Sequence, residues 1–153
     1  PLLAPTLAGA VGVAAMAGRL VMGAASDRIG RRAALAVAFV LQAGAFMSFS
    51  WSNQLAALYA ASVVFGFSYG AASTLFTATV ADFFGREHAG SLAGLLFSLA
   101  GSMAACGPFA AGFIYDRAGD YRLAWWLSAA CNGLALSLLA FTRPPAPREE
   151  TAA

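Results

Sequence analysis

The sequence contains no lysine. All nine cations are arginine, and charged residues of both signs make up only 10% of 153 residues, against about 25% in an average soluble domain. Water cannot solvate a whole surface so poor in charge, so most of this surface must face lipid. Without lysine there is no Walker-type loop G-x-x-x-x-G-K-[ST], and this chain does not itself drive work by nucleotide hydrolysis. One histidine and two cysteines show no metal-ligand spacing. Cys106 and Cys131 lie inside apolar runs and read as small packing residues. There is no convergent acid–base set, which argues against an enzyme, and no cofactor or metal is expected. The arginines fall in short loops rather than on one basic face, so nucleic-acid binding is not expected either.

What the sequence does have is hydrophobic length. Hydrophobic residues make up 60% of the chain and mean hydropathy is +0.72. Five runs carry most of this: 2–25, broken only by Arg19, then 33–51, 55–81, 89–115 and 123–142. Each reaches the roughly 20 residues that cross a hydrocarbon core of about 30 Å at a rise of about 1.5 Å per residue. Membrane β-strands would be about half as long, with polar alternation that is absent here. Helices satisfy the backbone in lipid, so the expected fold is an all-α integral membrane bundle of five helices. The connections 26–32, 52–54, 82–88 and 116–122 leave no room for a soluble domain. Residues 143–153 carry Pro144, Pro145 and Pro147, and are expected to end the last helix and form a disordered tail.

The chain begins at Pro1 rather than methionine and is expected to be a piece of a longer protein. Its first run lacks a positive leading segment and exceeds a signal-peptide core, so it is not read as a targeting segment. Arginine counts set the expected orientation. Arg28, Arg31, Arg32, Arg86, Arg143 and Arg148 share one side, and Arg117 and Arg122 the other. The arginine-rich side, with the C-terminus, is therefore expected in the cytoplasm of a cell of bacterial inner-membrane type.

One pattern occurs twice. Gly23-x-x-x-Asp27-Arg28-x-Gly30 returns as Gly112-x-x-x-Asp116-Arg117-x-Gly119, at an offset of 89 residues. Both copies stand at the exit of a helix, with an odd number of helices between them, so they fall on opposite membrane faces. This is the signature of the inverted three-helix repeats of secondary transporters. Helices 3, 4 and 5 would form the second unit. Helices 1 and 2 would complete the first only with a leading helix upstream of Pro1, as part of a six-helix transporter half.

The stretch Gly23-Ala24-Ala25-Ser26-Asp27-Arg28-Ile29-Gly30-Arg31-Arg32 resembles the G-x-x-x-D-R-x-G-R-R loop motif of the major facilitator superfamily. Gly107-Pro108, Gly112, Asp116, Gly119 and Tyr121 resemble the end of helix eleven in its monocarboxylate and oxalate–formate branches, as does Val80-Ala81-Asp82-Phe83-Phe84-Gly85. The resemblance implies helices eight to twelve of twelve and an N-terminal bundle of the same protein that is absent here. It also implies transport of a small solute, an organic anion such as a monocarboxylate, by symport or antiport. The alternative is a channel or non-transporting helical bundle.

Three groups of candidate residues follow. Gly23 and Gly30 permit close helix approach and a tight turn. By the resemblance Asp27 faces the N-terminus of helix 4 near Ala89, Gly90 and Ser91, where a carboxylate is favoured, and this loop, with Arg28, Arg31 and Arg32, gates one side; the alternative is that these charges only fix topology. Arg19 lies about 9 Å inside the first run, where a charge costs about 2.5–3.5 kcal/mol. It reads as an anion-binding group, with snorkelling to the interface as the alternative. The related branch carries an aspartate four residues before this arginine; here Ala15 stands there. Gly107 and Pro108 are expected to kink helix 4 as a hinge. The small residues Gly90, Gly94, Ser98, Ser102 and Cys106 read as a packing stripe. Ser68, Tyr69, Ser73, Thr74 and Thr77 on helix 3 have two readings, as the lining of a cavity or as hydroxyls bonded back to their own helix, and His88 is placed in a loop.

The orientation has a direct check. With Cys106 and Cys131 replaced, single cysteines at Ser26 and Ala118 should react with an impermeant thiol reagent from opposite sides of the membrane. Labelling from one side only would reject the inverted repeat.

Overall fold

The computed structural model describes residues 3–52 and 54–142. They form five helices: α1 Leu3–Ile29, α2 Arg31–Trp51, α3 Leu55–Phe84, α4 Arg86–Ala118 and α5 Arg122–Phe141. All five are long and apolar enough to cross a membrane. The tail 143–153 lies outside the described residues.

The helices outrun the apolar stretches at their charged ends. α1 continues through Asp27 and Arg28, α3 through Asp82, and α4 takes in Glu87 and His88 before its apolar part and Asp116 and Arg117 after it. Nothing in these residues breaks a helix, so the hydrogen-bond ladder continues until a glycine stops it. Gly30 and Gly85 each have φ 85°, and Gly119 has φ 75°, a region that costs a side chain dearly and glycine little. The expected seven-residue connections 26–32 and 82–88 therefore shrink to the single residues Gly30 and Gly85. His88 stands in the first turn of α4 rather than in a loop.

The bundle is organised around one seam, between α1 and α3. Lipid tails are as apolar as leucine, so helices associate in a bilayer through close packing rather than through the hydrophobic effect. Here the approach is backbone to backbone. A Cβ on Gly70 would sit 2.7 Å from Ala15 Cα, one on Gly66 2.8 Å from Val11 Cα, and one on Gly18 2.8 Å from the Phe67 carbonyl carbon. The contacts between positions 11 and 66 and between 15 and 70 set the two helices parallel and in register. α2 then closes one side of the seam, placing Ala34, Leu35 and Ala38 against Met22, Ala71, Ala72 and Leu75. α5 packs along α2, joined by Trp125 against Phe46 and Phe49 at ring separations of 6.0 and 5.1 Å.

α4 is the least embedded helix. It packs on α3 but does not touch α1, and Phe76, Thr77 and Val80 face Ala93, Leu96 and Phe97 across a small apolar cavity of about 180 Å³. The stripe Gly90, Gly94, Ser98, Ser102 and Cys106 is exposed, so it packs against no other helix among the described residues. α4 runs as one α-helix through Pro108, and Gly107 beside it has open space where a side chain would stand.

The seam makes a strong demand on glycine. Gly70→Val should force α1 and α3 apart and destabilise the bundle by about 1–3 kcal/mol, the usual cost of overpacking. Gly44→Ala, where nothing lies within 4 Å of the new methyl, should leave it as stable as before or slightly more so. Reversible unfolding in mixed micelles measures both, and equal effects would refute the backbone contact.

Candidate functional site

Two groups of polar residues sit on this frame. The first closes the end of the bundle where α1 stops and α2 starts. Ser26 is 2% exposed, and its hydroxyl donates to the Gly23 carbonyl at 2.7 Å. The extended, positive-φ turn at Gly30 brings the start of α2 back over the end of α1. Arg31 thereby reaches both α1 and α3. Its guanidinium donates to the Ser26 hydroxyl, pairs with Asp27 at 2.8 Å and donates from Nε to Asp82 at 3.2 Å. One side chain thus ties together the ends of three helices.

The other arginines of the loop have different roles. Arg32 donates to the Ala140 carbonyl at 2.6 Å, covering one of the carbonyls that the end of α5 leaves without an intrahelical partner. Arg28 is exposed and makes no hydrogen bond or ion pair among the described residues. Asp27 does not reach the start of α4, because α1 and α4 do not touch; its carboxylate is held by Arg31 instead. Asp82 is the partner that sequence reasoning missed. The available signal was an acidic residue at a helix end on the arginine-rich side.

The second copy of the motif shares a positive-φ glycine but neither the turn nor the ion pairs: Gly30 has ψ 148° and α2 starts at the next residue, whereas Gly119 has ψ 1° and α5 starts at Arg122. Gly119 takes the left-handed conformation, but Asp120 stands where Arg31 stands in the first copy. Its Oδ1 accepts the Arg122 amide N–H at 3.0 Å. Arg117 stacks over Phe113 at 4.6 Å.

The second group lies within the span. Arg19 is exposed and has no hydrogen-bond or ion-pair partner among the described residues. Its helix neighbours Ala15 and Met22 are buried, so Arg19 emerges at the edge of the α1–α3 seam. α2 covers the flank marked by Met22 and Ala25. At 3.6 residues per turn, Arg19 occupies the opposite flank, and Tyr69 and Ser73 occupy the matching flank of α3. Contacts of Gly70 with Ala15 and of Gly23 with Thr74 place all three at one level. Of the two readings open for Ser68, Ser73, Thr74 and Thr77, the structure shows the second: their hydroxyls return to carbonyls of their own helix. Tyr69 stacks on Phe65 at 6.1 Å, and its hydroxyl has no partner among the described residues.

Five apolar spanning helices, parallel packing of the first on the third and a charged turn between the first two define a multi-pass helical membrane protein. The profile of the Major Facilitator Superfamily matches residues 1–153. The chain belongs to that superfamily, whose members are membrane transporters and not enzymes. None of the curated proteins compared with it matches the chain.

The three-helix clamp can be measured as a coupling. Its ion pairs are only partly buried, so Arg31→Gln or Asp82→Asn alone should cost less than about 1 kcal/mol. A double-mutant cycle on the two should give a coupling of a few tenths of a kcal/mol that shrinks as salt is raised. Additive effects at low salt would show that the pair carries no energy.

Proposed function

We propose that this chain forms most of the C-terminal half of a secondary carrier that moves a small organic anion by alternating access, with Arg19 as an anion-binding group. One observation carries the reading: a permanently charged guanidinium within a membrane span, without a partner among the described residues, beside a tyrosine and a serine at the same level. An unpaired charge at this depth is tolerated most easily beside a wet cavity. A carboxylate is the natural partner of the planar guanidinium fork. The Arg31 clamp, with Asp27 and Asp82, supports a second part of the reading. It holds the arginine-rich end, on this reading the cytoplasmic one, and its partly exposed ion pairs are weak enough to break and re-form as the carrier rocks. With Ala15 packed on Gly70, proton coupling through a carboxylate at that position does not enter the scheme.

Removing Arg19 should remove a charge-assisted contact worth about 1.5–3 kcal/mol, or roughly 10- to 150-fold in affinity. In the complete carrier at matched abundance, Arg19→Gln should bind substrate anions that much more weakly, with Arg19→Lys in between. A snorkelling arginine predicts near-normal affinity for both. Asp27→Asn in the same assay should slow turnover and leave affinity unchanged. Wild-type affinity in Arg19→Gln for every transported anion would end the anion-site reading.

A further inference from the structure

All three tryptophans of the sequence lie at the end of the bundle opposite the Arg31 clamp. Trp51 closes α2, Trp125 and Trp126 open α5, and Trp51 meets Trp126 edge-on at 5.5 Å. Tryptophan concentrates at the headgroup level of a bilayer, where an apolar ring and a polar N–H are both satisfied. Between the end of α2 and the start of α5 lies a cavity of about 370 Å³, within the size range of small-molecule sites, about 300–1,000 Å³.

Its lining combines three features. Asp120 and Arg122 both line it, yet their side chains form no ion pair with each other or with any other described residue. The Asp120 carboxylate spends one oxygen on the Arg122 amide, and the Arg122 guanidinium has no partner among the described residues. Ser50 also lines the cavity. It is 8% exposed, and its Oγ is the one buried side-chain oxygen or nitrogen among the described residues without a hydrogen bond. Ser48, two residues earlier, returns its hydroxyl to the Gly44 carbonyl at 2.9 Å, the usual habit of a helical serine. Ser50 instead leaves its hydroxyl unpaired among the described residues, and the oxygen itself is buried behind the cavity lining. The rings of Phe49 and Trp125 supply the rest of that wall, 5.1 Å apart.

We propose that this cavity binds the headgroup of a zwitterionic phospholipid, phosphatidylethanolamine in particular. A ligand with a phosphate and an ammonium matches two opposite charges that leave each other unpaired. Arg122 takes the phosphate through its guanidinium fork. Asp120 and the aromatic faces take the ammonium. Ethanolamine suits this better than choline, because its N–H groups donate to the free Asp120 oxygen. The acyl chains extend over the exposed apolar surface of α5 at Leu127 and Leu134. A lipid is favoured over a soluble zwitterion because the cavity opens at the level where headgroups already stand at high concentration.

The test is retention and titration of phospholipid on the purified chain, read by native mass spectrometry and by lipid-induced thermal stabilisation. Wild type should bind phosphatidylethanolamine about tenfold more tightly than phosphatidylglycerol. Asp120→Asn keeps an oxygen to cap α5, so it should fold normally and lose that preference. Arg122→Gln should weaken binding of both lipids about tenfold. Ser50→Ala, which removes a buried unpaired hydroxyl, should raise the melting temperature without lipid and leave the preference for phosphatidylethanolamine unchanged. Equal retention of both lipids, or no change in Asp120→Asn and Arg122→Gln, would overturn the site and leave a water-filled cavity. Soluble phosphoethanolamine binding as tightly as the lipid would overturn the lipid assignment.

Discussion

Everything else in this bundle depends on the close approach of α1 and α3. Gly18, Gly66 and Gly70 let two backbones meet with no side chain between them. In lipid, where apolar side chains gain nothing by leaving their solvent, such an approach is among the few sources of helix–helix affinity. It also fixes rotation and register together. Once position 15 lies on 70 and 11 on 66, the flanks of both helices are decided, and with them the side on which Arg19, Tyr69 and Ser73 emerge.

The same register brings the ends of the helices together. Asp27 closes α1 and Asp82 is near the end of α3, so a parallel pair delivers two carboxylates to one level. The single-residue turn at Gly30 then lowers Arg31 between them. Each ion pair is weak because it is partly wet, and the clamp works as geometry more than as energy. Under the proposed rocking motion, weak wet pairs would suit an end that opens, whereas rupture of a deeply buried charge pair costs several kcal/mol.

The two copies of the loop motif differ in what they do with charge. In the first, Arg31 joins three helices. In the second, Asp120 caps α5 and leaves a carboxylate facing a cavity beside an unpaired Arg122. Positive-φ glycines at equivalent positions thus lead into a clamp at one end and a charged recess at the other. The copies differ in the glycine's ψ, 148° at Gly30 and 1° at Gly119, and in the residue that follows, arginine in one and aspartate in the other.

The sequence by itself determined the class, the helix count and the family. Apolar length is a one-dimensional property, and a loop motif is read without coordinates. It also marked Arg19, because a charge in an apolar run is visible as an exception. Helix ends were misread at Gly30 and Gly85, because polarity marks where lipid stops, whereas a helix stops where its backbone must turn. Only the tertiary structure decided which residues meet. It gave Asp27 to Arg31 rather than to the start of α4 and found Asp82 as the third partner. It moved the tight packing from the small residues of α4 to the glycines of α1 and α3. It also left the Ser50 hydroxyl unpaired beside Asp120 and Arg122. The reason is physical: in a helix bundle, partners are set by rotation and register between segments far apart in the chain, and small residues permit close packing without saying against which neighbour it will occur.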